Sequence, residues 1–213
     1  MTVRHLNCGP LNPPSQRLVE GGGSIARRGR AVCHCLLIDA DVGLVLVDTG
    51  LAATELLHPR RTLGIDVAFL LAPTADAAAT AKRQVIASGF DPSEVRHIYM
   101  THLDVDYRAG LSDFPDAAVH IHDTELASAH GPRTIMERRR YRGGWIEDPH
   151  WITHQPTGEQ WFGLPVLHEF EHSGPRIVMV ELPGHSRGHS GVAVQTVEAD
   201  GSLRWLLHAV SCS

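Results

Sequence analysis

The chain has 213 residues, 43% of them hydrophobic and 20% charged, with a net charge of −5. That is enough apolar material to bury the core of one domain, and too much for a disordered chain. Its one basic tract, Arg138-Arg139-Arg140, gives no positive face for phosphate binding, and no apolar run reaches the ~18 residues of a membrane span, so neither nucleic acid nor membrane is expected as a partner. Met1–Asn7 lacks the apolar core of a signal peptide, and Cys8, Cys33, Cys35 and Cys212 form no disulfide framework; a reducing, cytoplasmic setting is the expectation.

Residues 1–31, rich in Gly, Pro and Arg, read as an irregular lead-in with room for one short strand. The apolar runs Val32–Ile38 and Leu44–Val47 flank Asp39–Gly43 and read as a hairpin. Cys33 and Cys35 share one face of the first strand. With no second cysteine pair nearby, they read as small buried hydrophobes rather than half of a zinc site. Asp48-Thr49-Gly50 closes the hairpin, and residues 51–75 read as a loop with a short helix. Asp76–Ser88 reads as a helix with Ala81, Val85 and Ile86 on one face and Gly89 as its C-cap. Asp91–Glu94 makes a single turn before a strand at 96–101.

The strand opens into Thr101-His102-Leu103-Asp104-Val105-Asp106-Tyr107. In an extended segment His102, Asp104 and Asp106 point to one face, where one imidazole and two carboxylates repel unless a cation lies between them. A solvated loop with an Asx-turn is the plainer alternative. Further on, Ala109–Phe114 reads as a short helix and Ala117–His122 as a strand. Asp123 caps a helix to about His130, and Thr134–Tyr141 forms another, on whose solvated face the arginine run would lie. His120 and His122 have metal-ligand spacing, but inside a strand they read as packing or surface residues. Gly143–Gly163, with Trp145, Trp151 and Trp161, reads as an aromatic loop of the kind that covers a site. Strands follow at Val166–Phe170, Ile177–Leu182, Gly191–Val197 and Leu203–Ala209. The loop Pro183–Gly191 presents His185 and His189 at the end of its strand, as the first polar loop presents His102.

These pieces, in this order, resemble the metallo-β-lactamase-fold hydrolases. The family pattern runs Thr-His-x-His-x-Asp-His-x-Gly-Gly, then Pro-Gly-His-Thr-x-Gly-His, then a Gly-Asp after a later strand; Val47-Asp48-Thr49-Gly50 resembles its early Asp-Thr-Gly. The lactonase-like branch, which opens N-acyl homoserine lactones, is the most similar in pattern. The resemblance implies a four-layer αβ/βα sandwich of two mixed sheets, with metal loops along one edge. It implies that His102, Asp104 and His185 form one metal site, while Asp106 serves a second site or acts as the base for an attacking water. Asp48 would orient a ligand histidine, and Tyr107 would hydrogen-bond a carbonyl or oxyanion. One or two zinc ions are implied, with iron or manganese compatible because the carboxylate of Asp104 hardens its site.

Three departures shape the expectation. Asp104 stands where the family has its second His, Tyr107 where it has its last, and Ser211 where a metal-bridging Asp follows the closing strand. A single domain, 1–213, that is C-terminally incomplete, marginally folded and prone to self-associate as a homodimer is therefore expected. Its expected function is metal-dependent hydrolysis of a small-molecule ester or lactone. A non-catalytic metal-binding relative and a non-haem iron oxidoreductase remain as alternatives.

Overall fold

The apolar runs become strands, several of them buried on both faces. The computed structural model describes residues 2–141, 149–170, 176–198 and 200–210. Its first sheet holds β1 (Thr2–Leu11), β2 (Ala31–Ala40), β3 (Gly43–Val47), β4 (Val95–Tyr99), β5 (Ala118–His122) and β6 (His150–His154), side by side in that order. Its second holds β7 (Gln160–Trp161), β8 (Leu164–Phe170), β9 (Ile177–Glu181), β10 (Ser190–Val197) and β11 (Leu203–His208), also in sequence. The first sheet is mixed: β1–β3 run antiparallel and β3–β6 parallel. The second is antiparallel throughout, where two mixed sheets were expected.

Alternation along each strand sends its side chains to one face of the sheet or the other. Leu36 and Ile38 of β2, Val45 and Val47 of β3 and Tyr99 of β4 pack between the sheets against Leu167, Ile177, Met179, Val192 and Val194. Cys33, Cys35 and Leu37, one step out of phase, face the helices on the other side, so both cysteines are buried among apolar side chains, as their spacing implied. The helices are α1 (Gln16–Glu20), α2 (Ala53–Leu57), α3 (Pro59–Thr62), α4 (Ile65–Leu71), α5 (Ala81–Ala87), α6 (Val105–Arg108), α7 (Asp123–His130) and α8 (Ile135–Arg140). Leu56 of α2, Val85 of α5 and Ala129 of α7 seal that outer face. On the far side of the second sheet, Val178, Val180 and Ala193 are covered by Trp161, Leu182 and Trp205.

Several expectations are corrected. The lead-in contains a ten-residue strand: β1 pairs with β2 along most of its length, with a register shift between Asn7 and Pro10. The shift is where an edge strand can accept a proline without losing a ladder bond. Residues 51–75 hold three short helices rather than one. The cap of α7 is His122, whose Nδ1 accepts the Thr124 N–H, not Asp123. The supposed aromatic loop contains β6 and β7, while Trp145 lies outside the described residues.

A line of imidazoles lies between the sheets. His97 Nδ1 is 3.0 Å from His120 Nε2, and His120 Nδ1 is 2.9 Å from His154 Nε2. His168 of β8 stacks on His154 with ring centres 4.3 Å apart. Burial, reinforced by the neighbouring imidazoles, pushes the pKa of His120 down to about 3 and that of His154 down to about 4. Both values are below the ordinary histidine value near 6.5, so between that pH and about 4 the unfolded chain binds more protons than the folded one. This contribution to stability is complete above about pH 6.5 and is lost as the pH falls. In chelator, the urea midpoint should be lower at pH 5 than at pH 7, and His154→Gln should lessen the difference. Midpoints with the same pH difference in wild type and variant would show that these imidazoles carry no such linkage.

Candidate metal centre

The centre is built where β3 and β4 end, at the carboxyl edge of the parallel strands, where ligands bind in open α/β sheets. After β3 the backbone turns sharply at Asp48, which is fully buried and has φ +57, a left-handed conformation that Asp tolerates better than most residues. Its Oδ1 accepts the Thr101 N–H at 2.9 Å and its Oδ2 accepts the Thr101 hydroxyl at 2.8 Å. His208 Nε2, from β11, reaches the same Oδ2 at 3.2 Å. The turn is held by Gly50 (φ +69), where an added Cβ would lie 2.3 Å from Cys8 Cβ.

This carboxylate fixes the chemistry one residue further on. Thr101 Oγ1 lies 2.8 Å from His102 Nδ1. Since the hydroxyl proton goes to Asp48, an acceptor-only group, the hydroxyl oxygen must accept from His102 Nδ1–H. His102 is thereby held as the tautomer with a bare Nε2. That atom is buried without a hydrogen-bond partner, 3.7 Å from Asp104 Oδ2. His185, from the loop after β9, donates Nε2–H to the same carboxylate oxygen at 2.8 Å. One nitrogen from each imidazole and one Asp104 oxygen lie within 4.8 Å of one another.

The three donors fit a divalent transition ion. Two imidazoles and a carboxylate are an ordinary ligand set, and both His102 Nε2 and Asp104 Oδ1 are buried polar atoms without a protein partner. Burial pushes the pKa of His102 down to about 4, so its lone pair stays available at neutral pH. Burial works against the charge on Asp104, yet His185, His102 and Arg140 together hold its carboxyl below the usual range. A cation entering the site would take the place of the His185 proton.

Comparison with known proteins agrees with this geometry. No family model matches the chain. A probable metallo-hydrolase of Mycobacterium tuberculosis is 39% identical over 207 residues, 97% of this chain and 60% of the relative. The N-acyl homoserine lactonase AttM of Rhizobium johnstonii is 25% identical over 173 residues, 78% of this chain and 61% of that protein. The chain thus spans about three-fifths of the length of these relatives. Among solved structures, a probable metal-dependent hydrolase from Staphylococcus aureus superposes with a TM-score of 0.68 at 17% identity, covering 96% of this chain and 71% of that one. The metallo-β-lactamase MIM-1 from Novosphingobium pentaromativorans superposes with a TM-score of 0.56 at 16% identity, covering 86% and 57%. The chain has the metallo-β-lactamase fold.

Within this metallo-β-lactamase fold, the residues singled out from the sequence separate. His102, Asp104 and His185 converge. Asp106 does not join their ligand atoms, because the segment is extended only as far as Asp104 and then turns into α6. Its carboxyl is buried, and burial beside Asp104 raises its pKa to about 7. Tyr107, also on α6, belongs to the helix-side core; its ring lies against His102 with centres 4.5 Å apart, and its carbonyl accepts the Thr49 N–H and hydroxyl. His189 donates Nδ1–H to the Leu182 carbonyl and keeps a bare, buried Nε2. Ser211 lies outside the described residues.

Two supports are absent from the sequence reading. Glu125, fully buried in the first turn of α7, accepts the Leu103 N–H at 3.0 Å, the Tyr141 hydroxyl at 3.0 Å and the Ser186 hydroxyl at 2.7 Å. One carboxylate thus ties together the loops that carry His102 and His185. Gly188 allows this approach, since a Cβ there would lie 2.2 Å from the Glu125 nitrogen. Arg140 is the other support: it leaves the expected solvated face to donate to Asp104 Oδ2 at 3.1 Å. A Glu in the first turn of a helix is common enough to pass unnoticed, and nothing local shows that its partners lie in two distant loops.

Thr101→Val removes the link between Asp48 and His102 without changing shape much. It should weaken zinc binding by about 10–100-fold, read by competition with a chromogenic chelator, while circular dichroism stays native. Unchanged affinity would show that Thr101 does not set the tautomer. Glu125→Ala should destabilise the fold by about 3 kcal/mol or more in urea unfolding, since it strands three donors around a lost carboxylate. A loss under about 1 kcal/mol would contradict its role as the tie between the loops.

Proposed function

We propose that the chain acts as a metal-dependent hydrolase of lactones or esters with an apolar acyl chain. The observation that carries the reading is the convergence of His102 Nε2, Asp104 and His185 beside a pocket of about 520 Å³. Val67, Phe69, Leu70, Leu71, Val105 and Met136 make its wall apolar, and Asp104 and Asp106 also line it. Phe69, Leu70 and Met136 are more than half exposed, so the apolar surface continues to the rim, as an acyl tail would require. The similarity to a metallo-hydrolase and to a lactonase supports the same class.

A divalent ion in this site would polarise the scissile carbonyl and acidify a water. Zinc is the proposed ion, with iron and manganese compatible with a site containing one carboxylate. The chain's own groups do the rest. Asp48 and Thr101 hold His102 in its ligand tautomer, and Arg140 holds Asp104 in place. Asp106, in the same pocket, takes a proton from the attacking water and returns it to the leaving alkoxide, a task suited to a carboxyl that titrates near neutral pH. Tyr107 backs His102 rather than contacting substrate. The substrate is a small molecule, and the reaction needs no nucleic acid or membrane.

The test is turnover by zinc-loaded protein of a lactone with a medium-length acyl chain, alongside the unacylated lactone. Hydrolysis should favour the acylated substrate, and His185→Ala should reduce both bound zinc and turnover by ~100-fold or more. Turnover that survives His185→Ala would overturn the site assignment. Equal turnover of the two lactones would overturn the role of the apolar pocket.

A further inference from the structure

We propose a second metal site between the two sheets, formed by His120, His154 and His168, that takes a divalent transition ion such as zinc or copper. One ring nitrogen from each of these residues lies within 4.8 Å of the others. His120 is on β5 and His154 on β6, in the first sheet, while His168 is on β8, in the second. Among the described residues no backbone ladder crosses between the sheets, so an ion here would join them directly.

The donor chemistry favours an ion of this class over calcium or magnesium. All three donors are imidazoles and none is a carboxylate, a set that suits zinc, copper and nickel. Burial keeps His120 and His154 neutral, leaving a lone pair on each ring. His120 Nδ1 and His154 Nε2 are 2.9 Å apart, close to the ~3.3 Å between two nitrogens on one tetrahedral zinc with bonds of about 2.0–2.1 Å. Without an ion the rings lie stacked, His120 on His168 and His154 on His168, with centres 5.2 and 4.3 Å apart. Binding therefore requires the rings to turn about χ2, a broad torsion, and to exchange the His120–His154 hydrogen bond for two metal bonds.

A second observation points to a ligand. Tyr99 lies flat on His120, with ring centres 4.4 Å apart, and its fully buried hydroxyl has no hydrogen-bond partner. Buried hydroxyls are rarely left so, and a water completing the coordination of an ion would give it one. The site shares no residue with the centre at His102, so it stands whether or not the proposed hydrolysis does.

The test uses tag-free protein in which His102→Ala and His185→Ala remove the first centre. After equilibrium dialysis against zinc, this variant should retain about one ion. Adding His154→Gln and His168→Gln should remove that ion. With copper(II) in its place, the electron spin resonance spectrum of the first variant should show hyperfine splitting from several equivalent imidazole nitrogens. Failure of that variant to retain an ion, or an oxygen-only copper spectrum, would overturn the proposal. So would ion retention unchanged by the two glutamine substitutions. The spectrum needs only the first variant, so the answer does not depend on the fourfold variant folding.

Discussion

A carboxylate fully removed from water must be met by donors, and Asp48 is met by three from distant parts of the chain. Its backbone sits in the left-handed region to make this possible. The Thr101 N–H fixes where β4 ends, the Thr101 hydroxyl fixes the tautomer of His102, and His208 ties the last described strand of the second sheet to the first. If Asp48 were lost, the bare Nε2 of His102 would no longer be specified. Much of the centre's geometry therefore follows from one buried charge that does not itself belong to the ligand group.

Glu125 does for the loops what Asp48 does for the histidine. It gathers the Leu103 amide and the Ser186 hydroxyl onto one carboxylate, so that two loops distant in sequence are set against each other. The outcome is a site built on short hydrogen bonds to rigid ends of strands and helices, which is the way a metal centre is held without relying on loop stiffness. Arg140 completes it by sharing the Asp104 oxygen with His185.

The strand pattern was readable because both faces of β2, β3, β9 and β10 are buried, so their runs are almost continuously apolar. The ligand residues were readable because strand-end polar clusters break those runs abruptly. What stayed hidden depended on contacts far apart in sequence. Glu125 looks like any acid in a first turn. His208 looks like the end of an apolar strand, and the role of Arg140 depends on a partner 36 residues away. β1 was obscured by Gly9 and Pro10, which it accommodates as an edge strand with a bulge. The break at Asp104 had a local signal in principle, since Asp is a favoured residue just before a helix, but Asp104 spends its carboxylate on His185 and Arg140 rather than on a cap.

The central claim is that Asp48, through Thr101, holds His102 as the Nδ1–H tautomer with Nε2 bare. Nitrogen-15 NMR of the imidazole rings in metal-free protein at neutral pH measures this directly. The account predicts a protonated Nδ1 and an unprotonated Nε2 for His102, with that pattern changed in Thr101→Val. A His102 signal showing protonated Nε2, or both nitrogens protonated, would contradict it.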